Sequence, residues 1–163
     1  MTALVNTDNV TETEMLQRAR DIKPALRERA DAANEARTLP ADTIEDFKNL
    51  GFFKILQPKR WGGFEMDPRV FFDVVIEIAS ACPSSAWVLG VVAVHNWQLA
   101  LFDERAQSDV WGEDDNVLVS SSYMPTGKVK RVEGGFQFSG RWGFSSGSDH
   151  CDWAFLGGFV PPE

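Results

Sequence analysis

"GRWGFSSGSDHCDW" occupies residues 140–153 and puts three readings in competition. Within it Gly143, Ser145 and Gly147 satisfy the G-x-S-x-G pattern of a serine-hydrolase elbow, with Asp149 and His150 close behind. Such an elbow joins a strand to a helix, and its histidine comes from far along the chain. Here the continuation, "CDWAFLGGFV" (151–160), is strand-like, and Asp149 and His150 are too near in sequence to fold back onto Ser145. The hydrolase is rejected. A metal site fares no better, because His150 and Cys151 are adjacent and lack the spacing that lets two ligands converge on one ion. No H-E-x-x-H, C-x-x-C, Walker loop or G-x-G-x-x-G occurs. What remains is a set of small polar residues, read either as strand-end turn residues or as the lining of a pocket.

Outward from this stretch the pattern is first β and then helical. "NVLVSSSY" reads as a strand from Val117, and "KVKRVEGGFQFSGRWGF" as two strands around the Gly134-Gly135 turn. With the run after Cys151 that makes about four strands. They end at "FVPPE", and a partial sheet leaves unpaired edges, so the chain reads as the N-terminal portion of something longer. Before residues 113–116 the spacing is helical. Thr11 and Glu14 are spaced as a capping box, and apolar residues from Leu16 to Ala33 recur every three or four positions, with a disturbance expected at Pro24. A second helix starts near Pro40 and stops at Gly51; a third opens at Asp67-Pro68 with Val70, Phe71, Val74, Val75 and Ile78 inward. Pro83 starts a fourth, apolar nearly all round and therefore expected to be buried in a larger assembly. A short acidic helix ends at Trp111-Gly112. The fold class is α+β, with a helical part over 1–116 and the beginning of a β part over 117–163.

Composition narrows the function. The net charge of −8 argues against nucleic acid, whose phosphates are bound by clustered Lys and Arg. The single basic run, Lys128-Val129-Lys130-Arg131, alternates as a solvated strand edge would. Two cysteines make no disulfide framework, and the first residues carry no basic-then-apolar leader, so a cytoplasmic setting is expected. The longest apolar run, residues 86–94, is far short of the ~18 residues of a membrane span. Asn9-Val10-Thr11 matches the glycosylation triplet by chance. Six Trp and twelve Phe against one Tyr suit an interior that encloses a flat ligand.

His95 lies in "LGVVAVHNWQLALF", inside the most apolar helix, with Trp87 about two turns earlier on a neighbouring part of the same face. It reads either as a core histidine satisfied by one hydrogen bond or as a base beside an aromatic wall, since imidazole titrates near neutral pH. Spacing alone leaves both open.

"LGFFKILQPKRWGGFEMDP" (50–68), the helix entered at "ACPSSAW" (81–87) and the strands carrying "GRWGFSSGSDHCDW" together resemble the acyl-CoA dehydrogenase fold. The resemblance covers nearly the whole chain. It is closest to the flavin-dependent monooxygenase branch, the oxygenase components of two-component aromatic hydroxylases that act on a phenolic seco-steroid or on 4-hydroxyphenylacetate. It implies an N-terminal helical domain, a central β-barrel or sandwich domain, and a C-terminal four-helix bundle, absent from this chain, through which homotetramers form. It also implies reduced FMN or FAD supplied by a separate flavin reductase, O2 as co-substrate, and ortho-hydroxylation of a phenol to a catechol by the intact form.

Carried onto this chain, the resemblance puts Phe144, Ser145 and Ser146 along the flavin ring, with the Ser146 hydroxyl near its reactive edge. Ser121, Ser122 and Tyr123, in "SSSYMPTG", match the other flavin-contacting strand end, with Ser121 also toward the substrate. Trp87 matches a tryptophan beside the flavin, and His95 the histidine that meets the phenol. Two alternatives share these residues: a true acyl-CoA dehydrogenase, with a thioester substrate and a carboxylate base from elsewhere, and a non-catalytic fragment. His95 and the "SSG" after Trp142 favour the monooxygenase.

Overall fold

The computed structural model describes residues 10–160 and 162. Asn9, which opens the glycosylation triplet, and the N-terminal residues in which no leader is read lie outside that range.

The expected first helix is two. Helix α1 (Glu12–Asp21) and helix α2 (Lys23–Ala36) meet at Ile22, because Pro24 sits in the first turn of α2 and cannot donate a backbone hydrogen bond back into α1. Thr11 caps α1 by accepting from Glu14 N at 3.2 Å, but the Glu14 carboxylate turns to Arg18 at 2.6 Å. Only one arm of the capping box is therefore made. Helix α3 (Ala41–Asn49) follows Pro40, and Gly51 takes the left-handed conformation (φ 80°) that lets the chain leave it. Helix α4 (Pro68–Ala79) is capped by Asp67, whose carboxylate accepts from Arg69 N at 2.8 Å. Helix α5 (Pro83–Leu99) and helix α6 (Glu104–Trp111) complete the helical part.

The core is the apolar meeting of α1, α4 and α5 with the 3-10 turn Phe52–Lys54. Phe47 and Phe52 pack there with ring centroids 5.6 Å apart, a tilted arrangement that suits two aromatic quadrupoles. The loop before α4 is tied from within: Lys54 reaches Asp115 at 2.6 Å, and Gln57 donates to Asp115 O at 2.9 Å.

Within this chain helix α5 is buried on one side only. One face, including Leu89, Val92, His95 and Asn96, is buried, whereas Trp87 is 65% exposed and Trp97 is also open to solvent. With Phe72 and Val75 of α4, the open side borders an apolar groove of about 460 Å³.

The sheet has three strands where four were expected. Strand β1 (Val119–Val132) absorbs both "VSSSY" and "KVKRV", with a local irregularity between Ser122 and Gly127 where Pro125 lies. A proline is tolerated there because the register shift removes the pairing that its missing N–H would have served. Strand β2 (Gly135–Ser139) pairs antiparallel to β1 through the Gly134 turn, and strand β3 (Trp153–Phe159) pairs parallel to it on the other side. The basic run lies on the middle strand of the order β2-β1-β3, where Lys128 is paired on both sides but Val129 to Arg131 pair with β2 alone, beyond the end of β3, and their side chains are largely solvated. Residues 140–147 form no strand.

Candidate functional site

Strand β1 carries its first residues past α5 with two faces of different use. Ser120 and Ser122 point away from the helix into hydrogen bonds: Ser120 Oγ donates to Trp153 O at 3.3 Å and Ser122 Oγ to Gly143 O at 2.6 Å. By the period of a strand, Val119, Ser121 and Tyr123 share the opposite face. Val119 O accepts from His95 Nδ1 at 2.7 Å, and the Tyr123 ring meets the His95 ring edge-on with centroids 6.0 Å apart. Phe155, paired with Ser121 across β3, meets the imidazole from another side at 5.7 Å.

His95 is 2% exposed. Because its partner is a carbonyl, Nδ1 must carry the proton, and in the neutral ring Nε2 then holds the free lone pair. Burial pushes its pKa below the ordinary 6.5, and the bond to Val119 only partly offsets this. The result is a neutral, fixed, acceptor-ready imidazole between two aromatic rings.

The stretch 143–150 is held against the other end of α5. Trp87 Nε1 donates to Ser146 Oγ at 3.0 Å. An indole nitrogen only donates, so Ser146 accepts there and its own O–H remains available to a third group. Gly147 has φ 77°, and a Cβ on it would stand 2.8 Å from Val92 Cγ2 and 3.0 Å from Val88 Cγ1. Phe144 is fully exposed and, at φ 59°, holds a left-handed backbone that non-glycine residues adopt rarely. Trp87, Ser146 and Gly147 line a cavity of about 600 Å³ together with Arg37, Asp149 and His150.

Asp149 and His150, in the 3-10 turn Ser148–His150, face Thr38: Thr38 Oγ1 donates to Asp149 Oδ2 at 3.2 Å and lies 3.4 Å from His150 Nε2. No hydrogen bond joins the elbow serine, Ser145, to Asp149 or His150, so no serine triad forms among the described residues. Burial raises the Cys151 thiol to about 12, which leaves it un-ionised and no nucleophile.

The structure joins Trp87 to Ser146 and His95 to Tyr123. Ser121 shares the strand face of Tyr123, whereas the Phe144 side chain stands in solvent and Ser145 is near Trp87 only as the chain neighbour of Ser146. Ser122 stands apart, because its hydroxyl is taken by Gly143 O and ties β1 to the 143–147 segment. Sequence reasoning missed Phe155 and Gln98. Gln98, one turn beyond His95 on α5, accepts the Tyr123 hydroxyl through Oε1, and no motif in the sequence marks it.

Residues 11–113 match the acyl-CoA dehydrogenase N-terminal domain, and the chain belongs to that family. It is 48% identical over 145 residues to the flavin-dependent monooxygenase oxygenase subunit HsaA of Rhodococcus jostii, covering 89% of this chain and 38% of that protein. It is 35% identical over 151 residues to the p-hydroxyphenylacetate 3-hydroxylase oxygenase component of Acinetobacter baumannii, covering 93% and 36%. Among solved structures, the HsaA monooxygenase from M. tuberculosis superposes with a TM-score of 0.89 at 45% identity, over 91% of this chain and 41% of that one. The chain therefore spans less than half the length of these relatives, and its fold is theirs.

The residues present suit a flavin. Ser146 offers a hydroxyl whose proton the Trp87 bond leaves free, beside a cavity of about 600 Å³, which fits the polar edge of a flat ring; Gly147 lets this segment lie close on Val88 and Val92 of α5 rather than on a ligand.

Proposed function

We propose that the whole protein is the oxygenase component of a two-component flavin-dependent monooxygenase that hydroxylates a phenol at its ortho carbon, giving a catechol. The observation that carries this reading is His95, buried and neutral, with Nδ1 committed to Val119 and Nε2 free to accept. Reduced FMN or FAD, supplied by a separate flavin reductase, provides the reducing equivalents that activate O2. Trp87, Ser121, Tyr123, Phe144, Ser145 and Ser146 would lie along it, with Ser122 holding their two segments together.

The remaining work falls to this chain's own groups. His95 Nε2 accepts the phenolic proton, which raises electron density at the ortho carbon that receives oxygen. Ser121 shares that face of β1 and has a hydroxyl to orient the substrate. Ser146 would offer the cofactor a hydrogen bond from its O–H, with its oxygen held by Trp87. Tyr123 and Phe155 keep water from the imidazole, and water exclusion protects a reactive oxidant from wasteful decay.

A thioester dehydrogenase would need a carboxylate base. That carboxylate would come from outside this chain, whereas the titratable group this chain buries against β1 is an imidazole. The same reading makes the protein a cytoplasmic homotetramer, with 1–116 its N-terminal helical domain and 117–163 the beginning of its β domain. The open apolar side of α5 supports further burial in such an assembly. Among the described residues no helix is long and apolar enough to cross a membrane.

The test is turnover of the whole protein with a flavin reductase, a phenol and ¹⁸O2. The reading expects one ¹⁸O atom in a catechol product. Turnover of an acyl thioester with no oxygen transfer to any phenol would favour the dehydrogenase.

A further inference from the structure

The two rings that wall His95 are held by different means. Phe155 is stacked on Phe102, with centroids 5.1 Å apart and planes within 10° of parallel, so its position is set by packing. Tyr123 has no such support. It is 54% exposed, and it stands where β1 loses its regular pairing with β3, between Ser122 and Gly127. A tyrosine on irregular backbone with half its surface in water is free to change rotamer unless its hydroxyl is held. That hold comes from Gln98 Oε1, on the same helix as His95 and one turn further on.

We propose that Gln98 is a positioning residue: by accepting the Tyr123 hydroxyl proton it fixes that ring as the movable wall in front of His95. The wall does two things. It keeps bulk water from the imidazole, and it sets the width of the space in which an aromatic substrate lies beside Nε2. The latch itself stands on contacts within this chain. Its bearing on substrate selection rests on the reading of His95 as the group that meets the phenol.

The experiment is diethylpyrocarbonate labelling of the flavin-free whole protein, followed residue by residue by mass spectrometry, with His150 as internal reference. Gln98→Leu should speed labelling of His95 by about fivefold or more, the mark of a local opening, and leave His150 at its native rate. Tyr123→Phe, which keeps the ring and removes only the hydroxyl, should match it, and the double variant should be no faster than either single one. Gln98→Glu still accepts a hydrogen bond and should restore the slow native rate. Native-rate labelling of His95 in Gln98→Leu, additive effects of the two substitutions, or a rise shared equally by both histidines would overturn the latch. A second readout, the phenol KM against kcat, tests the link to substrate: Gln98→Leu should raise KM with kcat nearly kept. A latch that appears in labelling but leaves KM unmoved would overturn its part in substrate selection. Absence of phenol hydroxylation in the native protein itself would instead overturn the reading of His95.

Discussion

Trp87 Nε1 donates to Ser146 Oγ across 3.0 Å, joining α5 to a segment 59 residues further along the chain. The bond sets the direction of the Ser146 hydroxyl, because an oxygen that accepts from the indole is left to donate elsewhere.

Ser146→Ala in the whole protein should lower the rate of product formation about tenfold to a hundredfold, the equivalent of one lost hydrogen bond of roughly 1–3 kcal/mol. Trp87→Phe keeps the aromatic surface and removes only the donor, so its effect should be smaller. The double variant should be no worse than Ser146→Ala, since the bond needs both partners. Steady-state rates on the four proteins check this, and strictly additive losses would separate the two residues.

Gly147→Ala should destabilise the fold by about 1–3 kcal/mol, because the new Cβ meets Val92 and Val88 on a left-handed backbone. Gly134 offers the control. Its φ is 79°, but a Cβ there finds nothing within 4 Å, so Gly134→Ala should cost only the backbone strain of about 1 kcal/mol. Thermal melting of both variants tests the difference, and equal losses would mean that packing against α5 is not what Gly147 serves.

Stability should fall as pH drops below about 6.5. Burial lowers the pKa of His95 and of His150, so between their folded values and 6.5 the unfolded chain binds more protons than the folded one. Over that window stability rises with pH, and above it the contribution is complete. Glu77 and Asp114, whose folded values are lowered from 4.5 and 3.8, act only at lower pH. Thermal midpoints across pH 5 to 7.5 should show the slope in the native protein and a shallower one in His95→Asn, whereas identical slopes would remove His95 from the acid sensitivity.

Several parts of this arrangement were legible in the sequence because single residues mark them. Asp67-Pro68 and Pro83 fix helix starts by chemistry that needs no tertiary context, and Gly51 marks an end in the same way. Strand β1 reads as two strands in the sequence, because no single residue between Tyr123 and Lys128 announces the shifted register that lets it run through. Helix α5 is apolar on every side, so its pattern could not say which face meets β1 and which lies open. The pairs Trp87 with Ser146 and Tyr123 with Gln98 each join distant segments, and a lone glutamine on a helix carries no signature of the hydroxyl it will hold.

The central claim is that His95 takes the phenolic proton, and His95→Asn tests it most directly. Asparagine can still donate to Val119 O from the position of Nδ1, which spares the contact to β1 while removing the acceptor at Nε2. With the whole protein, its reductase and a phenol, catechol formed and hydrogen peroxide released are measured together against O2 consumed. The account predicts oxygen consumption at near-native rates with most of it appearing as hydrogen peroxide and little as catechol. A variant that still converts most of its oxygen into catechol would make His95 a core histidine and contradict the account.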